Sequence, residues 1–121
     1  SFNPEQTSVS ELDFVDVLAL PAMLSAESLR EVLKYLASIE CNEVLIEAGA
    51  TLAGAFVEAG LWDELIVYMA PKLLGSHARP LLSLPIDEMT HSKALALKDV
   101  RQFGDDLRLI YKATNPNSTA A

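Results

Sequence analysis

The stretch NEVLIEAGATLAGAFVEAGLWDELIVYMAPKLLG, Asn42 to Gly75, decides how this chain is to be read. It begins with a short apolar run, Val44-Leu45-Ile46, of the kind that forms a strand buried on both faces. A carboxylate, Glu47, follows directly. A turn of small residues, Ala48-Gly49-Ala50-Thr51, then opens a helix that ends near Gly60. A second apolar run, Leu65 to Met69, comes next. Strand, helix and strand at this spacing predict a βαβ unit. Val44-Leu45-Ile46 and Leu65-Ile66-Val67 are then expected as neighbouring parallel strands joined by a right-handed crossover. The helix Thr51–Ala59 is expected to pack on one sheet face through Leu52 and Phe56. In such units ligands collect at the carboxyl ends of the strands. The first helical turn leaves backbone N–H groups unbonded, and its dipole favours an anion there. Gly49, having no side chain, lets a phosphate come close to that backbone.

Upstream, Phe14 to Leu20 is rich in Val and Leu and reads as a strand closed by Pro21. Ser25 is placed to cap a helix with Glu27 and Glu31 in its early turns. Leu29, Val32, Leu33, Leu36 and Ile39 fall at helical spacing and form one apolar face. Downstream, Ser76 to Thr90 holds Pro80 and Pro85 and reads as a loop. Two alternating runs, Ala94–Val100 and Leu107–Lys112, flank Phe103-Gly104-Asp105-Asp106 and predict an antiparallel hairpin. Leu95, Leu97 and Val100 are its expected buried side on the first run; on the second, Leu107, Leu109 and Tyr111 share one face and Arg108 and Ile110 the other. The whole is an α/β layer pattern. Three regions follow: a polar segment 1–12, a folded region 13–113 and a polar, disordered tail 114–121.

Half of the 121 residues are hydrophobic and the mean hydropathy is slightly positive, which predicts a globular chain. No apolar run reaches the roughly 18 residues a membrane-spanning helix needs, and no secretory signal is visible, so a cytoplasmic protein with no membrane partner is expected. A net charge of −8 argues against a nucleic-acid partner. Cys41 is the single cysteine and reads as a reduced structural thiol. His77 and His91 stand alone in loop sequence without metal-ligand spacing, so no metal site is expected.

Among polar residues Glu47 is the leading candidate. A charge beside an apolar run calls for a partner or for a ligand with donors. A solvated carboxylate that caps nearby amides fits the same position. Gly49 and Gly54 give Gly-x-x-x-x-Gly without the Lys-Ser/Thr of a P-loop, and they do not form the dinucleotide fingerprint Gly-x-Gly-x-x-Gly. Gly54 alone reads equally well as a packing glycine. Lys72 is either a phosphate contact or a surface lysine. Trp62 and Tyr68 read as packing residues, and Asp63-Glu64 as a turn held by side-chain hydrogen bonds.

Several stretches resemble a known family: EAGATLAGA (Glu47 to Ala55), Gly60-Leu61, Asp63-Glu64-Leu65, APKLLG (Ala70 to Gly75) and, more loosely, the closing hairpin Asp99 to Leu107. They are similar to the reductase domain of the bacterial riboflavin-biosynthesis bifunctional deaminase/reductase. The resemblance implies a dihydrofolate-reductase-like mixed sheet flanked by helices, here its C-terminal portion without the first strands. It implies NADPH as cofactor and reduction of the ribosyl group of 5-amino-6-(5-phosphoribosylamino)uracil to ribityl. By it, Glu47 matches a substrate-contacting carboxylate, and Gly49, Ala50, Thr51, Leu52, Ala53, Gly54 and Ala55 match the segment that carries NADPH. No catalytic proton donor is identified. The family's zinc belongs to a deaminase domain upstream, and its His-x-Glu…Pro-Cys-x-x-Cys pattern does not occur in this sequence. A sheet without its first strands needs cover, so a homo-oligomer is expected, with the fragment inactive alone. The alternatives are a reductase of another pyrimidine or pterin-like substrate, and a non-catalytic nucleotide-binding or dimerisation module.

Overall fold

The computed structural model describes residues 24–114. The segment 1–12, the strand expected at 14–20 and the tail beyond residue 114 lie outside the described residues. The elements are α1 (Ala26–Ser38), α2 (Ala50–Glu58), β1 (Glu64–Met69), a short 3-10 turn (Met89–His91), β2 (Leu95–Phe103) and β3 (Asp106–Ala113).

Helix α1 starts where Ser25 sets it. The Ser28 N–H donates to Ser25 Oγ at 3.2 Å, and the Ser25 N–H donates to Ser28 Oγ at 2.9 Å, a reciprocal capping box. The helix ends at Ile39, and Glu40 follows with a φ of 65°. Only the first part of the expected apolar face is deeply covered: Leu29 is 4% exposed, whereas Val32, Leu33 and Leu36 are half-buried and Ile39 is exposed. Among the described residues Leu29 and Ser28, with Phe56 and Val57 of α2, are the buried ones outside the glycines, and α1 and α2 contact each other. Within α2 Phe56 packs inward as expected, but Leu52 is exposed on the side of the helix start.

The α/β class is as expected, yet the βαβ unit is not. Strands β1 and β2 both pair antiparallel with β3, in the order β1-β3-β2. Val44-Leu45-Ile46 is not a strand, and Leu45 is 75% exposed. An apolar run supplies only a tendency; a strand exists through its ladder of hydrogen bonds. Among the described residues β1 pairs only with β3, and no ladder joins its other edge to 44–46.

The hairpin forms as read, with Gly104-Asp105 as its two-residue turn between Phe103 and Asp106. Gly104 sits at a φ of +59°, which other residues adopt only with strain. The register shifts between Leu97 and Asp99, and the extra residue, Lys98, forms an ion pair with Glu64 at the start of β1. That contact, rather than a turn at Asp63-Glu64, is what occupies Glu64. The Lys98 hydrogen bond, with the nearby positive charges of Lys98 and Lys112, holds the Glu64 carboxyl below its ordinary range. Leu95, Leu97 and Val100, expected as a buried side, are exposed; Asp99 is the half-buried residue of β2. Its carboxylate accepts from Arg108 Nη2 at 3.1 Å, and the Arg108 guanidinium lies 5.4 Å from the Phe103 ring. Tyr68 is exposed rather than packed. A further ion pair, Lys93 with Glu58 at 3.4 Å, ties the approach to β2 to the end of α2.

Candidate functional site

Helix α2 begins without a side-chain cap. Its N-cap is Gly49, whose φ of −68° and ψ of 169° are extended. The first backbone bond of the helix runs from the Ala53 N–H to the Gly49 carbonyl at 3.1 Å. The amides of Ala50, Thr51 and Leu52 therefore precede the ladder, and no described side chain caps them. A serine or aspartate at this position would satisfy one of them; glycine leaves all three to solvent or to a ligand.

The residues that carry these amides border a cleft. Its volume is about 520 Å³, and it is lined by Gly49, Ala50, Thr51 and Leu52 on one side and by Arg79, Pro80 and Ser83 on the other. That size falls within the usual few-hundred-Å³ range of small-molecule sites. Its lining has one charged side chain, Arg79, and no acid. Arg79 is exposed and makes no hydrogen bond or ion pair among the described residues.

The two walls are joined behind the cleft. The Ser83 N–H donates to the Ala50 carbonyl at 3.0 Å. Gly54 is buried against the same residue: a Cβ there would lie 2.1 Å from the Ser83 carbonyl oxygen. At Gly49, by contrast, a Cβ would meet nothing within 4 Å.

The sequence candidates thus divide. Gly49, Ala50, Thr51 and Leu52 come together at the cleft. Ala53, Gly54 and Ala55 continue the helix behind it and do not line it, and Gly54 is the seat of the opposite loop. Glu47 is exposed two residues before Gly49, outside the lining, with no described partner. Lys72, His77 and His91 are exposed and not in the cleft. Sequence reading missed Arg79, Pro80 and Ser83. The one available signal was a cation set against proline, Arg79-Pro80, in a strongly acidic chain. Among the described residues no cluster of His, Cys, Asp and Glu is arranged to hold a metal ion, and no helix is long and apolar enough to cross a membrane.

The family described as RibD C-terminal domain matches residues 4–109. A riboflavin biosynthesis protein RibD of Haemophilus influenzae is 38% identical over 100 residues, 82% of this chain and 26% of that protein. A protein of Buchnera aphidicola named 5-amino-6-(5-phosphoribosylamino)uracil reductase is 46% identical over 79 residues, 64% of this chain and 38% of the relative. A solved structure of Acinetobacter baumannii RibD superposes with a TM-score of 0.69 at 41% identity, covering 71% of this chain and 25% of that one. The chain therefore spans about a quarter to two fifths of the length of these relatives.

Proposed function

The chain belongs to the family of RibD C-terminal domains, and from that premise we propose that it is part of an NADPH-dependent reductase of riboflavin biosynthesis. Its α/β fold is the dihydrofolate-reductase-like fold of that reductase domain. The reaction we assign is reduction of the ribosyl group of 5-amino-6-(5-phosphoribosylamino)uracil to ribityl. One observation carries the reading. The segment that resembles the family's cofactor-carrying stretch begins as an uncapped helix start, facing a cleft whose lining has a cation and no acid.

The donor set suits the phosphates of a dinucleotide. The amides of Ala50, Thr51 and Leu52 offer hydrogen bonds at the positive end of the helix dipole, and Gly49 leaves their approach open. Ala53, Gly54 and Ala55 act from behind, keeping the helix and the opposite loop in place. When bound, NADPH supplies the hydride. Glu47, beside the cleft and without a partner among the described residues, orients the substrate by accepting from its donor groups. The proton that accompanies the hydride comes from water or from a residue outside the described set. The same proposal makes the intact enzyme a cytoplasmic homo-oligomer.

The test is a pair of titrations on the full-length protein, with circular dichroism to confirm folding. Gly49→Val is expected to weaken NADPH binding and spare substrate. Its backbone angles are open to any residue, so the fold should survive. Glu47→Gln is expected to do the reverse. Loss of a charge-assisted hydrogen bond of roughly 1.5–3 kcal/mol corresponds to roughly one to two decades in affinity or rate. Wild-type binding of both ligands by both folded variants would remove the site from this segment.

A further inference from the structure

The loop 79–83 forms the far wall of the cleft, and the cofactor reading above leaves it without a role. Resting on that reading, we infer that Arg79 is a cofactor-binding residue that grips a phosphate of the dinucleotide. Three features of the structure lead there. Arg79 is the one charged residue lining the cleft, and no described carboxylate pairs with its guanidinium. A structural arginine is ordinarily engaged, as Arg108 is with Asp99 and Phe103 in the sheet. The chain carries a net charge of −8, so its overall field repels an anionic ligand, and a local cation is what offsets it. Guanidinium is also the side chain best matched to phosphate, because its planar fork donates two parallel hydrogen bonds.

The loop is positioned for this. The residue before a proline is held to extended backbone, which narrows the directions open to Arg79 ahead of Pro80. Ser83 is fastened to the helix start by its bond to the Ala50 carbonyl and by its backbone lying against Gly54. The wall that carries the cation is thus tied to the wall that carries the amides. Gly54 and Ser83 are positioning residues in this arrangement, and Arg79 makes the contact.

The experiment measures binding of NADPH, NADH and inorganic pyrophosphate to the full-length protein and to Arg79→Gln, Arg79→Lys and Gly49→Val, at low and high salt. Arg79→Gln should raise the NADPH dissociation constant about tenfold and flatten its salt dependence, while Arg79→Lys keeps the salt dependence but recovers only part of the affinity. If NADPH, NADH and pyrophosphate all weaken, Arg79 holds the diphosphate. If NADPH alone weakens, it holds the 2′-phosphate. Unchanged binding in Arg79→Gln, with Gly49→Val impaired, overturns the role of Arg79 and leaves the cofactor reading standing. If neither variant changes NADPH binding, the cofactor reading itself fails and the inference falls with it.

Discussion

A single methyl group separates Gly54 from alanine, and the structure has no room for it. Helix propensity alone would favour alanine there by about 1 kcal/mol. The added Cβ would lie 2.1 Å from the Ser83 carbonyl oxygen, a backbone atom that no rotamer change can move. Overpacking of this kind costs about 1–3 kcal/mol or more, which outweighs the propensity gain. Gly54→Ala is therefore expected to lower the denaturant midpoint of the full-length protein and to loosen NADPH binding through the displaced loop. An unchanged or raised midpoint would show that the loop yields freely. Gly49 is the opposite case, open in space and ordinary in φ, so its substitution should register in ligand binding. The sequence allows a packing role for Gly54 but does not name the partner. What separates the two glycines is Ser83, a residue distant in the chain, and long-range proximity leaves no local pattern to read. Arg79 escaped notice for the same reason. Glu47 was legible as an isolated carboxylate, because charge after an apolar run is a local signal.

At the level of elements, legibility follows how local the determining interactions are. Helix α1 was readable from Ser25 because a capping box spans four consecutive residues. The hairpin was readable because its turn, its alternation and its partner strands are adjacent. The run 44–46 was misread because its strand character depends on a neighbour that the run itself does not specify. The exposed side of β2 was misread because alternation shows which residues share a face and not whether another element covers it: Leu95 and Leu97 are exposed although they precede the bulge at Lys98. That bulge has a measurable consequence. Glu64 titrates below its ordinary range because Lys98 hydrogen-bonds its carboxylate. A carboxyl with a depressed folded pKa adds stability above its unfolded pKa and loses it as pH falls through the folded value. Lys98→Met should shift the Glu64 titration, followed by NMR, upward toward the ordinary glutamate value. It should also reduce the acid sensitivity of the β1 end. A titration that stays where it was would mean that Lys112 or another group sets it.

Across the whole molecule, apolar surface is abundant. Tyr68, Met69, Leu73, Leu74 and Leu45 are exposed, and one edge of β1 meets no described strand. Unpaired strand edges beside apolar side chains associate. The 121-residue chain on its own is expected to self-associate in sedimentation experiments and to show no substrate-dependent NADPH oxidation. A monodisperse monomer with robust turnover would contradict both expectations. The order β1-β3-β2 carries one more consequence, for the moment of synthesis. The strand that holds the sheet together is the last of the three to be made. As the chain leaves the ribosome, Glu64–Met69 and Leu95–Phe103 must wait without partners until Asp106–Ala113 emerges between them. A chain cut between Phe103 and Asp106 would keep both outer strands and lose the one that each of them pairs with, so none of the described sheet would form.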